Sequence, residues 1–141
     1  MTPTDVALVQ SSFGQVKPIA EQAAALFYGR LFEIAPEVKP LFKGDMAEQG
    51  KKLMGTLAVV IGSLDNLPAI LPAASALAKK HVGYGVKSGH YAPVGAALLW
   101  TLERGLGAGF TPQVEAAWKS AYGTLSNFMI AEAYGGAAAA E

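Results

Sequence analysis

Cysteine is absent from the 141 residues, and that single absence excludes disulfides, thiolate zinc sites, iron–sulfur clusters and cysteine nucleophiles together. Histidine is nearly absent, with two residues, and charged side chains make up only 16% of the chain. The eleven basic and eleven acidic residues cancel, which removes the electrostatic footprint of a nucleic-acid binder or of a basic membrane-surface protein. Long apolar runs are missing too: stretches such as Leu57 to Ile61 fall far short of the ~18 residues that a membrane span requires. Met1 to Gln10 lacks the basic segment and apolar core of a leader. A soluble, unprocessed chain in the cytoplasm is the expectation. What is present is apolar matter, 52% hydrophobic residues in the length of one domain, enough to bury roughly 70% of the unfolded surface. A packed core is expected in place of disorder.

Proline, glycine and capping residues divide this apolar matter into helices. Thr2-Pro3-Thr4-Asp5 predicts a helix from Pro3 to about Val16, and Pro18 interrupts or restarts it. From Pro18 to about Ile34 apolar residues stack on two sides, among them Ala23, Phe27 and Leu31, then Ala24 and Tyr28. Pro36 and Pro40 bracket a short turn, and Lys43-Gly44-Asp45 reads as a break with Phe42 at the corner. Met46 to about Leu64 carries Leu53, Leu57, Val60, Ile61 and Leu64 at three- and four-residue steps, with Gln49 as the polar member of that stripe. A shorter helix with Pro72 near its start places His81 four residues after Leu77 and stops in Val82-Gly83-Tyr84-Gly85. Tyr91-Ala92-Pro93 opens a helix that ends at Gly105, Gly107 and Gly109. Thr111-Pro112 opens the last one, through Val114, Trp118, Tyr122, Leu125, Phe128 and Glu132, and the tail 135–141 is expected to fray. No segment alternates as a strand does, so the fold class is all-α, with short corners that suggest a helical sandwich around a pocket.

Few residues here can hold a metal. His81 and His90 are nine apart across a glycine-containing loop, so they share no helical face, and neither an HExxH nor a repeated Glu-x-x-His motif occurs. One histidine is nevertheless enough for haem, whose iron needs an imidazole with its second N–H fixed by a carbonyl or carboxylate. In the last turn of a helix, His81 can offer that N–H to the carbonyl of Leu77. A plain surface or core histidine remains the alternative at this point.

Phe27-Tyr28-Gly29-Arg30-Leu31-Phe32, Pro36-Glu37-Val38-Lys39-Pro40-Leu41-Phe42, Leu64-Asp65-Asn66-Leu67 and Lys80-His81-Val82-Gly83-Tyr84-Gly85-Val86-Lys87-Ser88-Gly89-His90-Tyr91-Ala92-Pro93-Val94-Gly95 follow one another in order. Together they resemble the bacterial single-domain globins of the Vitreoscilla haemoglobin type, the Methylacidiphilum globin related to neuroglobin, and the globin domain of flavohaemoglobins, from Val6 to about Glu132. The resemblance implies a single domain over residues 1–141 with a three-over-three globin fold holding one haem b. It places His81 as the iron ligand, Phe42 on the haem face, and Tyr28, Gln49 and Leu53 on the distal side. Leu77, Val86 and Tyr91 complete the cofactor-binding set. The plain alternatives are that Tyr28 is a core tyrosine with its hydroxyl tied to backbone, that Gln49 points to solvent, and that Phe42 and Leu53 only pack. His90 is taken as structural at a helix start, and Trp100, Trp118 and Tyr122 as core.

O2, NO and CO are the ligands the resemblance implies. O2 gains electron density when bound, so donors such as the Tyr28 O–H and the Gln49 amide would each contribute about 1–3 kcal/mol and slow its release roughly tenfold. The alternative function is oxidation of NO to nitrate, and since the chain ends at Glu141 without flavin or nicotinamide domains, turnover would take a separate reductase. A haem-free interaction module or a sensor is the third reading. One departure limits the enzyme reading. Tyr91 matches a tyrosine that braces the proximal histidine in flavohaemoglobins, but Ala133 stands where the bracing glutamate belongs and Glu132 lies one residue early, about 100° away on a helix. The strong proximal push is therefore not carried over. With no histidine on the distal helix, a five-coordinate ferrous form is expected.

Overall fold

Two reciprocal hydrogen bonds start the chain. In the computed structural model, which describes residues 2–42, 44–83 and 87–140 and their side chains except those of 88 and 134–140, the Thr2 hydroxyl accepts the Asp5 amide while the Asp5 carboxylate accepts the Thr2 amide. This capping box satisfies amides that the first turn would otherwise leave unpaired. It opens α1, Pro3–Val16. A 3-10 turn at Lys17–Ile19 absorbs Pro18, and α2 runs Ala20–Ile34, starting two residues after the proline. A second 3-10 turn, Pro36–Leu41, leads to the corner before α3, Met46–Gly62, whose first turn is capped by the Asp45 carboxylate accepting the Ala47 amide at 2.9 Å.

After the 3-10 turn Leu64–Asn66 comes α4, Leu67–Gly83. It opens five residues before Pro72, earlier than the sequence suggests. Pro68 at the second helical position loses no hydrogen bond there, so the helix starts ahead of it, and Pro72 lies inside, lacking the amide that would bond the Pro68 carbonyl. A turn at Ser88–His90 precedes α5, Tyr91–Leu106, which stops where Gly107 takes φ +56° and its amide bonds the Glu103 carbonyl. The last helix, α6, runs Pro112–Ala140, carrying residues 135–140 that the sequence reading ends as a frayed tail. Alanine, the strongest helix former, occupies 137–140 after Gly135 and Gly136. All regular structure among the described residues is helical.

The helices make a three-over-three sandwich. One layer holds α1, α3 and α4, the other α2, α5 and α6; α1 and α4 pack on α6 and α3 on α2. Small side chains at Ala23, Ala97, Ala117 and Ala121 are fully buried at the crossings, and Phe13, Phe27, Leu31, Leu98, Leu102 and Trp118 fill the space around them. The buried Trp118 indole N–H donates to the Ser12 hydroxyl at 2.8 Å, which in turn donates to the Leu8 carbonyl at 2.7 Å. A tryptophan inside a core keeps its donor satisfied this way.

α3 and α4 are joined through the Leu64–Asn66 corner, where the axis turns by 53°, and they pack on α2 and α6 with little contact between themselves. Packed against the core, Phe42, Leu53, Met54, Leu57 and Leu125 are only partly buried although large and apolar. No single helix among the described residues is long and apolar enough to cross a membrane.

Candidate functional site

The residues singled out in the sequence fall into two groups. The first is built where α2 crosses α3. A Cβ placed on Gly50 would stand 3.0 Å from the Ala24 Cβ, so the two backbones run close. One turn beyond Ala24, Tyr28 is buried, and its hydroxyl donates to the main-chain carbonyl of Gln49 at 3.2 Å. This is the plain alternative for Tyr28, a hydroxyl tied to backbone. Three aromatic neighbours hold the ring: Phe27 edge-on at 5.1 Å, Phe42 edge-on at 5.2 Å and Phe32 stacked at 6.1 Å between centroids. Burial pushes the phenol up to about 12 from its ordinary value near 10, so it remains a donor throughout the neutral range. Gln49 is half-buried in the first turn of α3, and Leu53, one turn on, packs against the core cluster. Phe42 and Phe32 touch edge-on at 5.4 Å, which ties the corner after Pro36–Leu41 to α2.

The second group lies where α4 ends and α5 begins. His81 sits in the last turn of α4, half-buried, with Nδ1 2.7 Å from the Leu77 carbonyl. A carbonyl only accepts, so Nδ1 carries the hydrogen and, in the neutral ring, Nε2 carries the lone pair. The local four-residue step therefore fixes the tautomer. The ring lies against that of Tyr91, with centroids 6.4 Å apart and planes at 25°. Tyr91 is buried as the first residue of α5. His90 closes the preceding turn, its Nδ1 accepting the Lys87 amide at 3.0 Å. Val86 of the expected cofactor set lies outside the described residues, as do Tyr84 and Gly85 of the same motif.

Two contributors, one to each group, were not singled out from the sequence. Tyr122 on α6, read there as core, donates its hydroxyl to the main-chain carbonyl of Tyr91 at 2.5 Å, and its ring lies so near Gly95 that a Cβ there would come within 2.7 Å of it. Burial, with the neighbouring Tyr91 adding to it, raises the Tyr122 phenol well above its ordinary range. α6 thus holds the first turn of α5, the turn that sets Tyr91 against His81. The available signal was the spacing Tyr91, Gly95: a glycine one turn into an otherwise good helix marks a close approach. Phe32, four residues after Tyr28, was likewise a helical neighbour in plain view. Glu132 is exposed on α6 and forms no ion pair among the described residues.

The arrangement is uncharged. The three ion pairs among the described residues, Arg30–Glu33, Lys51–Glu48 and Lys119–Glu115, all join neighbours along one helix at the surface. No three His, Cys, Asp or Glu side chains converge among the described residues, so the donor set suits an iron that brings four nitrogens of its own and takes one imidazole from the protein. The partly buried apolar side chains Phe42, Leu53 and Leu57 suit a flat apolar macrocycle. On both counts the residues present fit haem.

Comparison with known proteins agrees with this geometry. The family model described as Globin matches residues 25–129. The chain is similar to the flavohemoprotein of Rhodopirellula baltica, 36% identical over 114 residues, covering 79% of this chain and 28% of that protein. It is also similar to the flavohemoproteins of Bordetella parapertussis and Bordetella bronchiseptica, each 32% identical over 133 residues, covering 92% of this chain and 33% of those proteins. The chain thus spans a third or less of the length of these relatives. With the helical sandwich, the tautomer-fixed histidine and the family match in hand, the chain belongs to the globin family.

Proposed function

We propose that this chain holds haem b between α3 and α4 and reversibly binds O2, and by the same chemistry NO and CO. The observation that carries the reading is the His81 imidazole, whose Nδ1 bonds the Leu77 carbonyl at 2.7 Å and so leaves Nε2 in the form that ligates iron. Haem, when bound, supplies the capture of diatomic gases. The chain's own residues do the rest. His81 anchors the group and is oriented by Leu77 and the stacked ring of Tyr91. Phe42, Leu53 and Leu57 offer apolar walls that exclude water. Tyr28 and Gln49 form the polar side, where an O–H or N–H meets the negative charge that develops on O2. In a water-poor pocket such a donor contributes more than it would in solvent.

The test is spectroscopic. Hemin added to the purified chain should yield a coloured complex whose reduced spectrum changes with O2 and with CO, and whose pyridine adduct is that of haem b. A protein that stays colourless with excess hemin would refute the proposal.

A second reading, oxidation of NO by O2 to nitrate, is favoured by the Tyr91 ring against His81 and by the flavohemoprotein relatives. One NO, one O2 and one electron give one nitrate, and the electron would come from a reductase. Catalytic nitrate formation on supplying NADH and a flavin reductase supports it; a single turnover that then stops counts against it.

A further inference from the structure

We infer that the groove between α1 and the Leu64–Asn66 corner is a binding site for a small alkylammonium, a primary ammonium carried on a short apolar arm. None of the residues assigned to haem lines it, and the argument does not depend on the haem reading.

The first two turns of α1 pack on the corner that joins α3 to α4. Between them is a groove of about 430 Å3 lined by Val6, Ala7 and Gln10 from α1 and by Leu64, Asp65 and Leu67, within the size range of small-molecule sites. Val6 and Ala7 stand four and three residues before Gln10, so the three share one helical face. Val6, Leu64 and Leu67 give the groove an apolar wall. Its strongest polar groups are acceptors. The Gln10 Nε2 donates to the Ile61 carbonyl at 2.9 Å. A carbonyl only accepts, so the amide is set with its nitrogen there, and its Oε1, at the other corner, takes no hydrogen bond among the described residues. The exposed Asp65 side chain forms no ion pair among the described residues. Ile61 itself lies in the last turn of α3, the negative end of the helix dipole.

The start of α1, beside the groove, does not offset this. Its donors are engaged: the Thr2 amide on the Asp5 carboxylate, the Asp5 amide on the Thr2 hydroxyl and the Val6 amide on the Thr2 carbonyl, while Pro3 has no N–H to give. No Lys or Arg among the described residues lines the groove. An anion would meet a carboxylate there and no cation. Two acceptors, one of them charged, beside an apolar wall match the three N–H donors and the alkyl arm of a primary ammonium.

Hexylammonium, hexan-1-ol and hexanoate share one arm and differ in charge, so titrating each into the purified chain near neutral pH decides it. Hexylammonium should bind saturably, with the largest heteronuclear NMR shifts at the Gln10 side-chain amide and at residues 64–67. Hexan-1-ol should bind about fivefold more weakly, the difference one charge pair near the surface makes, and hexanoate more weakly still. Asp65→Asn should weaken hexylammonium about fivefold and leave hexan-1-ol within ~2-fold. Ala7→Trp, at an exposed position of α1, should fill the groove and abolish binding of both. Hexanoate binding as tightly as hexylammonium, shifts centred away from the groove, wild-type affinity in either variant, or no saturable binding would each overturn the assignment. The result should be the same with and without haem, so a chain that fails to take up haem leaves this test standing.

Discussion

At the scale of single residues, protonation states carry most of the consequences. His81 is held as one tautomer by a neighbour on its own helix, so its chemistry depends on α4 remaining wound through its last turn. Tyr28 is held by another helix, and its phenol titrates near 12 in the folded chain against about 10 when unfolded. Between those values the native state binds the extra proton, so stability is whole below about pH 10 and falls as pH rises toward 12. Tyr28→Phe should flatten that alkaline decline. Urea midpoints measured from pH 8 to 11.5 check this, and an identical slope in the two proteins would show that Tyr28 does not contribute. The two contacts also differ in legibility. Leu77 and His81 are four apart on one helix, and their bond could be expected from the chain alone. Tyr28 and Gln49 are twenty-one apart, and the direction of the tyrosine hydroxyl depends on how closely Ala24 lets Gly50 approach, a tertiary distance that no local pattern encodes.

Between elements, the contact of α5 with α6 determines how Tyr91 meets His81. Gly95→Ala sets two effects against each other. Alanine is the better helix former by about 1 kcal/mol, but its Cβ would enter the Tyr122 ring at 2.7 Å, and overpacking costs about 1–3 kcal/mol. The ring has little room to yield, because its hydroxyl end is fixed on the Tyr91 carbonyl. The clash should win, lowering stability by about 1 kcal/mol or more, as judged from denaturant unfolding; a stabilised variant would show that Tyr122 moves freely. Helix bounds were legible where capping is local, as in α1 with its Thr2–Asp5 box. They were not at α4, where two prolines four residues apart compete as start signals and packing on α6 carries the helix through the second.

For the whole molecule, the decisive feature is that α3 and α4 scarcely touch each other and pack instead on α2 and α6. Phe42, Leu53 and Leu57 are large and apolar yet only partly buried, so a flat apolar group covering them would complete the core. A ligand that binds the folded chain alone stabilises it by mass action, about 2.7 kcal/mol at a hundred times its dissociation constant. Thermal unfolding should therefore move upward by several degrees with hemin, and an unchanged midpoint would mean the slot does not take it. The six-helix sandwich was readable because proline and glycine mark nearly every corner. The short corners suggested a pocket, but its place in the fold was readable only through the family likeness, since partial burial of an apolar stripe is a property of the assembled fold. The most direct test of the account is the reduced absorption spectrum of His81→Gly loaded with haem, recorded with and without added imidazole. The account predicts loss of the five-coordinate ferrous spectrum in the variant and its return with imidazole. A variant that keeps the wild-type spectrum without imidazole would contradict it.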